Sequence, residues 1–196
     1  MKAGLMLAVN PNVEREPFDY YATDPHAVAK AVPLFREIGL SPRIWEPACG
    51  EGHIARELEK HGYTVKSSDI VDRGYGEVAD FLTSDQIWDG DILTNPPFKL
   101  AADFIEHAMK LLTDGRLAVF LLKVQFLETV KRAELFRRCG LKYLAVNSER
   151  VCCAKNGEFD EYFKQAENGA YRGGTQLFCW YIFEKGFSGE PTIKWI

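Results

Sequence analysis

The stretch Arg116-Leu117-Ala118-Val119-Phe120-Leu121-Leu122 is apolar at every position after the first. A strand with one face in water alternates apolar and polar residues. One without alternation is covered on both faces, as in parallel sheets flanked by helices. Six further segments have strand character: Arg43–Glu46, Tyr63–Lys66 running on toward Asp69, Val78–Leu82, Asp91–Thr94, Leu141–Val146 and Thr175–Phe183. Helical spacing falls between them at His53–Lys60, Leu100–Leu112 and Phe126–Cys139, with Gly62 and Gly140 stopping the first and third. Alternating β and α units predict a doubly wound, mostly parallel α/β sheet of seven strands, with helices on both faces. Its ligand site is expected beyond the carboxyl ends of the strands.

A chain of 196 residues fits one domain, 1–196, with enough length for a real core. Hydrophobic residues at 46% and charged residues at 27% argue against a disordered tail, a fibre or a coiled coil. The sequence contains no apolar run long enough to span a membrane, and MKAGLMLAVNPNVERE lacks the flanks of a signal peptide. The expectation is a cytoplasmic protein of a bacterial or phage-infected cell, with no membrane partner. Cys49, Cys139, Cys152, Cys153 and Cys179 show no metal spacing, and His26, His53, His61 and His107 share no ligand pattern. Reduced structural thiols, surface or capping histidines and no metal are therefore expected. The net charge of −4 divides unevenly: 9 Lys+Arg against 16 Asp+Glu through Phe98, and 15 against 12 from Lys99 onward. Such a split is compatible with a polyanionic partner for the second half, and equally with an ordinary solvated surface.

Glu46-Pro47-Ala48-Cys49-Gly50-Glu51-Gly52-His53 joins a strand to a helix. Gly50 and Gly52 let the backbone turn tightly and approach a ligand, and the following helix start offers free N–H groups. No Lys-Ser/Thr and no third glycine follow, so neither a nucleoside triphosphate nor a nicotinamide dinucleotide is favoured. The acidic surroundings suit a ligand that is partly cationic. Asp69, at the next strand end, can accept both hydroxyls of a ribose. Asp80 and Phe81, at the strand end after that, suit an amino group and a flat ring, so the set describes an adenosine. Either aspartate alone could be a solvated turn residue.

Asp91-Ile92-Leu93-Thr94-Asn95-Pro96-Pro97-Phe98 ends a strand in an abrupt, stiff turn. The prolines fix φ and remove two donors, leaving carbonyls free to accept. An exocyclic amine could donate one hydrogen to the Asn95 side-chain oxygen and the other to the Pro96 carbonyl. Its lone pair, freed from the ring, could then attack an electrophilic methyl by in-line displacement, a reaction that needs positioning more than a strong base. Phe98 supplies a stacking face, worth ~1–3 kcal/mol for a base. A plain Asn-Pro turn is the structural alternative.

EPACGEG, Asp69, Asp80 and NPPF together resemble the class I S-adenosylmethionine-dependent methyltransferases, specifically those acting on exocyclic amines of bases. Phe18-Asp-Tyr-Tyr-Ala-Thr-Asp-Pro25 resembles the Tyr-x-Thr-x-Pro element that helps hold the methionine part of the cofactor in DNA adenine-N6 enzymes. The likeness runs from about Phe18 to Ile196 and, in its tail, is similar to small phage or prophage DNA methyltransferases. It implies the Rossmann-like methyltransferase fold, S-adenosyl-L-methionine as cofactor and a nucleic-acid partner, DNA favoured over RNA. It implies further that Tyr21, Thr23, Glu46, Pro47, Ala48, Gly50, Gly52, Asp69, Ile70, Asp80, Phe81 and Asn95 hold the cofactor, residues 1–30 closing over it. Asn95, Pro96, Pro97 and Phe98 would hold the target base, flipped from its stack.

The larger DNA enzymes carry a separate target-recognition domain, and this chain has no room for one. Recognition would fall to the insertion 147–174, with Arg150, Lys155, Lys164 and Arg172, and to a basic helix carrying Lys131, Arg132, Arg137 and Arg138. A flexible loop and a solvated helix face are the alternatives. RNA adenine-N6 and guanine-N2 enzymes and protein glutamine methyltransferases share Asn-Pro-Pro-aromatic, and a catalytically silent subunit could keep the fold. The N-terminal element favours DNA.

Overall fold

The structure, a computed structural model, describes residues 21–149, 151, 153–154 and 176–196. A short strand β1 (Ala22–Thr23) leads into helix α1 (Pro25–Glu37). Then come β2 (Arg43–Glu46), α2 (His53–Lys60), β3 (Thr64–Asp69), β4 (Glu77–Val78), β5 (Asp91–Thr94), α3 (Ala101–Leu111), β6 (Leu117–Lys123), α4 (Val130–Cys139), β7 (Leu141–Val146), β8 (Cys153–Ala154), β9 (Phe178–Glu184) and β10 (Thr192–Trp195).

Eight of these strands form one sheet in the order β10-β7-β9-β6-β5-β2-β3-β4, parallel except for β9, which is antiparallel to both β6 and β7. The run that opened the sequence is β6, at the centre. Ala118, Phe120 and Leu122 face a core with Phe104, Ile105 and Ala108 of α3 and Leu135 of α4. Leu117, Val119 and Leu121 face the opposite core, with Val28 and Phe35 of α1 and Ile54 and Leu58 of α2. None of the six is more than 3% exposed. β9 repeats the pattern, with Tyr181 and Phe183 on one side and Trp180 and Ile182 on the other.

Four elements differ from the sequence expectation. The sheet has an eighth strand, β10, paired in parallel with β7 at the edge. Its exposed residues gave no buried run to detect. The strand expected over Val78–Leu82 stops at Val78, because the Asp80 side chain accepts from the Leu82 N–H (3.0 Å) and turns the chain into a 3-10 turn at Phe81–Thr83. The helix expected from Phe126 begins at Val130, after a 3-10 turn at Val124–Leu127, with Thr129 as its cap. Helix α1 was not foreseen; Asp24 caps it by accepting from the His26 N–H (2.9 Å), with Pro25 in its first turn. The start of the last strand at Thr175 lies outside the described residues.

From β2 the chain winds outward through β3 and β4, then crosses back to place β5 on the other side of β2. Loops leaving β2 and β5 therefore diverge, opening a crevice at their carboxyl ends.

Candidate functional site

The Glu46–His53 loop starts level with the middle of β5, since Ile44 pairs with Asp91 and Trp45 with Ile92. The loop is pinned to β3: the Cys49 N–H donates to the Ser68 carbonyl (3.0 Å) and the Gly50 N–H to Asp69 Oδ2 (2.8 Å). Asp69 Oδ1 accepts from the Val71 N–H (3.0 Å). A carboxylate offers about four acceptor sites, so both oxygens keep capacity for a further donor. Gly52 caps α2 with φ +80 and supplies no side-chain cap; the Ala55 N–H of the first turn donates to the Glu46 carboxylate instead. A Cβ on Gly52 would lie 2.4 Å from the Tyr75 ring, which covers the loop under the Arg56 guanidinium at 4.5 Å.

At the end of β5, Asn95 Nδ2 donates to the Tyr21 carbonyl (3.0 Å) and to Thr23 Oγ1 (3.1 Å), with Cys153 Sγ at 3.9 Å. A carbonyl can only accept, so the amide cannot be turned round: the nitrogen is held by the Tyr21 segment and the oxygen is left without a partner. That segment is held by a two-residue antiparallel ladder, Ala22 opposite Ala154 and Thr23 opposite Cys153. Phe98 lies at the junction of the two cores. Its ring is nearly parallel to Tyr21 (6.0 Å, 26°), close to Phe178 (6.0 Å) and 4.5 Å beneath the Lys123 ammonium. Pro96 is buried and Pro97 half-buried.

Glu46 and Asn95 line one cleft, together with Thr23, Ala48, Cys49 and His53. Two buried acceptors there lack a partner: Glu46 Oε2 and Asn95 Oδ1. Burial pushes the Glu46 carboxyl well above its usual 4.5, against the Ala55 N–H that favours the charged form and with Asp69 adding repulsion. Cys49 is pushed up to about 12, chiefly by burial and then by Glu46 and Asp69. The cleft is therefore short of donors and of positive charge, the chemistry expected if a cationic, donor-bearing ligand completes it.

The other expected residues lie along the same strand ends. Ile70 is exposed, Asp80 is half-buried at its turn, Pro47 is buried, and Phe81 is 2% exposed. The Phe81 ring is enclosed by Trp45, Phe104 and His107, so it has no open face. Tyr75 and Lys123 were not singled out from sequence, and Cys153 was read only as a structural thiol. No local spacing marks them, because each reaches the site from a different loop or strand end. Arg150, Lys155, Lys164 and Arg172, and Phe18 to Tyr20, lie outside the described residues. On α4, Lys131 and Arg137 are exposed, Arg138 pairs with Glu106, and Arg132 covers the Phe126 ring at 4.3 Å. Among the described residues, no helix is long and apolar enough to cross a membrane.

No protein-family description and no curated protein matches the chain by sequence. Solved structures do match in three dimensions. A Listeria monocytogenes protein assigned to the class I S-adenosylmethionine-dependent methyltransferases aligns with TM-score 0.56 at 15% identity, over 98% of this chain and 69% of that one. A Pyrococcus horikoshii protein assigned as an RNA methyltransferase gives 0.58 at 11%, over 87% and 90%. The M protein of the type I restriction enzyme EcoKI gives 0.58 at 14%, over 87% of this chain and 44% of that one. At these identities the likeness is one of architecture: the chain has the Rossmann-like fold of class I methyltransferases.

Proposed function

We propose that the protein is an S-adenosylmethionine-dependent N-methyltransferase acting on the exocyclic amine of a nucleobase, N6 of adenine in DNA. One observation carries this: the Asn95 amide is locked by Tyr21 and Thr23 with its oxygen buried and unpartnered, at a residue that lines the cleft. An orphaned acceptor costs about 1–3 kcal/mol. It is retained here at a position where a substrate amine can supply the donor.

The cofactor contributes, when bound, a methyl group on positively charged sulfur. The residues fit it: Glu46 gives a buried carboxylate, Gly50 and Gly52 a close backbone approach with Pro47 and Ala48 beside them, and Asp69 accepts ribose hydroxyls. Ile70 and Asp80 border the adenine, and residues up to 30, through Tyr21 and Thr23, close the site. Asn95 Oδ1 and the Pro96 carbonyl take the two amine hydrogens, so the nitrogen lone pair is withdrawn from the ring. Pro97 keeps that turn rigid and Phe98 carries the base face. The segment 147–174 and α4 are the parts assigned to backbone contact and target choice.

The test is transfer of labelled methyl to DNA, RNA and protein in parallel, followed by nucleoside analysis. N6-methyladenine in DNA is the expected product. Label only in RNA or protein, or none in any arm, overturns the assignment.

A further inference from the structure

The sheet brings the starts of α3 and α4 to the rim that holds Asn95, because both helices begin just past strand carboxyl ends. Three large apolar side chains stand open on that rim: Leu100 at 40%, Leu127 at 38% and Val130 at 75% exposure. Between the last two sits Thr129, whose φ of +97 makes it the only non-glycine residue with positive φ among those described. The backbone is thus held in a strained corner whose effect is to present Leu127 and Val130 outward. Lys99, Lys123, Lys131 and Arg132 flank the corner, and among the described residues none of the four has a carboxylate partner. Lys123 instead lies over Phe98, tying the corner to the base pocket.

Apolar side chains beside four cations that have no carboxylate partner, with Glu128 the one acid inside the corner, suit a surface that is polyanionic outside and stacked inside. Taking a base out of a duplex leaves a gap between its neighbours, and an apolar side chain inserted there restores contact to the exposed base faces. We infer that the Leu127–Val130 corner is a wedge that enters duplex DNA where the target base leaves, while Lys99, Lys123, Lys131 and Arg132 grip the adjoining phosphates. This rests on the nucleobase assignment above and gives it a device for opening a duplex.

The wedge matters only where there is a stack to fill. The experiment compares wild type with the double variant Leu127→Ala, Val130→Ala on mixed-sequence DNA, native and heat-denatured, reading methyl transfer per unit time. Both side chains are exposed, so the thermal midpoint should not move. The expected result is about a tenfold loss of kcat/KM on native DNA with less than a twofold loss on denatured DNA. Val130→Met, which keeps an apolar side chain, should recover most of the native-DNA rate. Equal loss on both forms, no loss on either, or wild-type transfer confined to denatured DNA overturns the wedge and leaves the assignment standing. Wild type that labels neither form overturns the assignment itself, and the wedge with it.

Discussion

Two polar side chains bracket strand β5, Asp91 as its first residue and Asn95 just past its last, and the two are treated in opposite ways. At the amino end, Asp91 accepts from the Ser41 N–H (2.6 Å) and the Leu117 N–H (2.8 Å), one per oxygen, fastening the loop before β2 and the start of β6. At the carboxyl end, Asn95 is fastened through its nitrogen alone and its oxygen has no partner. The Asn95 oxygen is buried, as Asp91 is, so solvent does not explain the difference. A group satisfied on every side holds the fold; a group anchored on one side and left open on the other is prepared for something absent from the chain.

That contrast breaks if Asn95 proves to be only a strut. Asn95→Ala should lower methyl transfer by about 10²–10³-fold, the scale for removing one preorganised polar contact to the reacting centre. Cofactor binding by titration calorimetry should change by less than about threefold. A parallel loss of binding and thermal stability would put Asn95 in the same class as Asp91. For Asp91→Ala the expectation is reversed. Two buried N–H groups lose their acceptor, at a cost of about 2–4 kcal/mol in denaturant unfolding, while activity per folded molecule holds. Unchanged stability in that variant would show that water replaces the carboxylate.

The same contrast marks what the residue order could and could not show. β6 was legible because its apolar run is continuous, and the two core faces followed from it. The turns at Gly50–Gly52 and Asn95–Phe98 were legible because the glycines and prolines that make them are packed into consecutive residues. Helix α1 was missed because its capping signal, Asp24-Pro25, lies inside the Tyr21–Pro25 element and was assigned to ligand closure alone. β10 was missed because an exposed edge strand needs no apolar pattern. Phe81 was expected to offer a ring face; its surroundings of Trp45, Phe104 and His107 come from three elements distant in sequence. Cys153 could not be brought next to Asn95 by any spacing rule, since a two-residue ladder with Thr23 puts it there.

A smaller effect sharpens the comparison at the other wall of the crevice. Gly52 combines φ +80 with a Tyr75 ring where a Cβ would sit. Gly52→Ala should cost about 1–2 kcal/mol in backbone strain alone. Because Tyr75 must also move off the loop, cofactor affinity should fall together with stability. Restored affinity in the double variant Gly52→Ala, Tyr75→Ala would separate the ring clash from the strain. Failure to recover any affinity would place the whole effect in the backbone.

The weakest effect distinguishes Glu46 from Asp91 by pH. Burial raises both carboxyls above their usual values, Glu46 by more. Above pH 4.5 an unfolded Glu46 gives up its proton while the folded one keeps it. The unfolded state then binds fewer protons, so the stability contributed by Glu46 is complete below 4.5 and is lost as pH rises through the raised value. Asp91 gives a slope of the same sign, but two N–H donors favour its charged form and hold that slope down. Glu46→Gln should therefore flatten the pH dependence of unfolding over this window more than Asp91→Asn does. A cationic ligand favours the ionised carboxylate, so S-adenosylmethionine affinity in wild type should rise with pH over the same window and be flat in Glu46→Gln. Identical pH profiles for the two proteins in both measurements would mean that the unpartnered Oε2 does not face the ligand, leaving Asn95 as the single open group of the crevice.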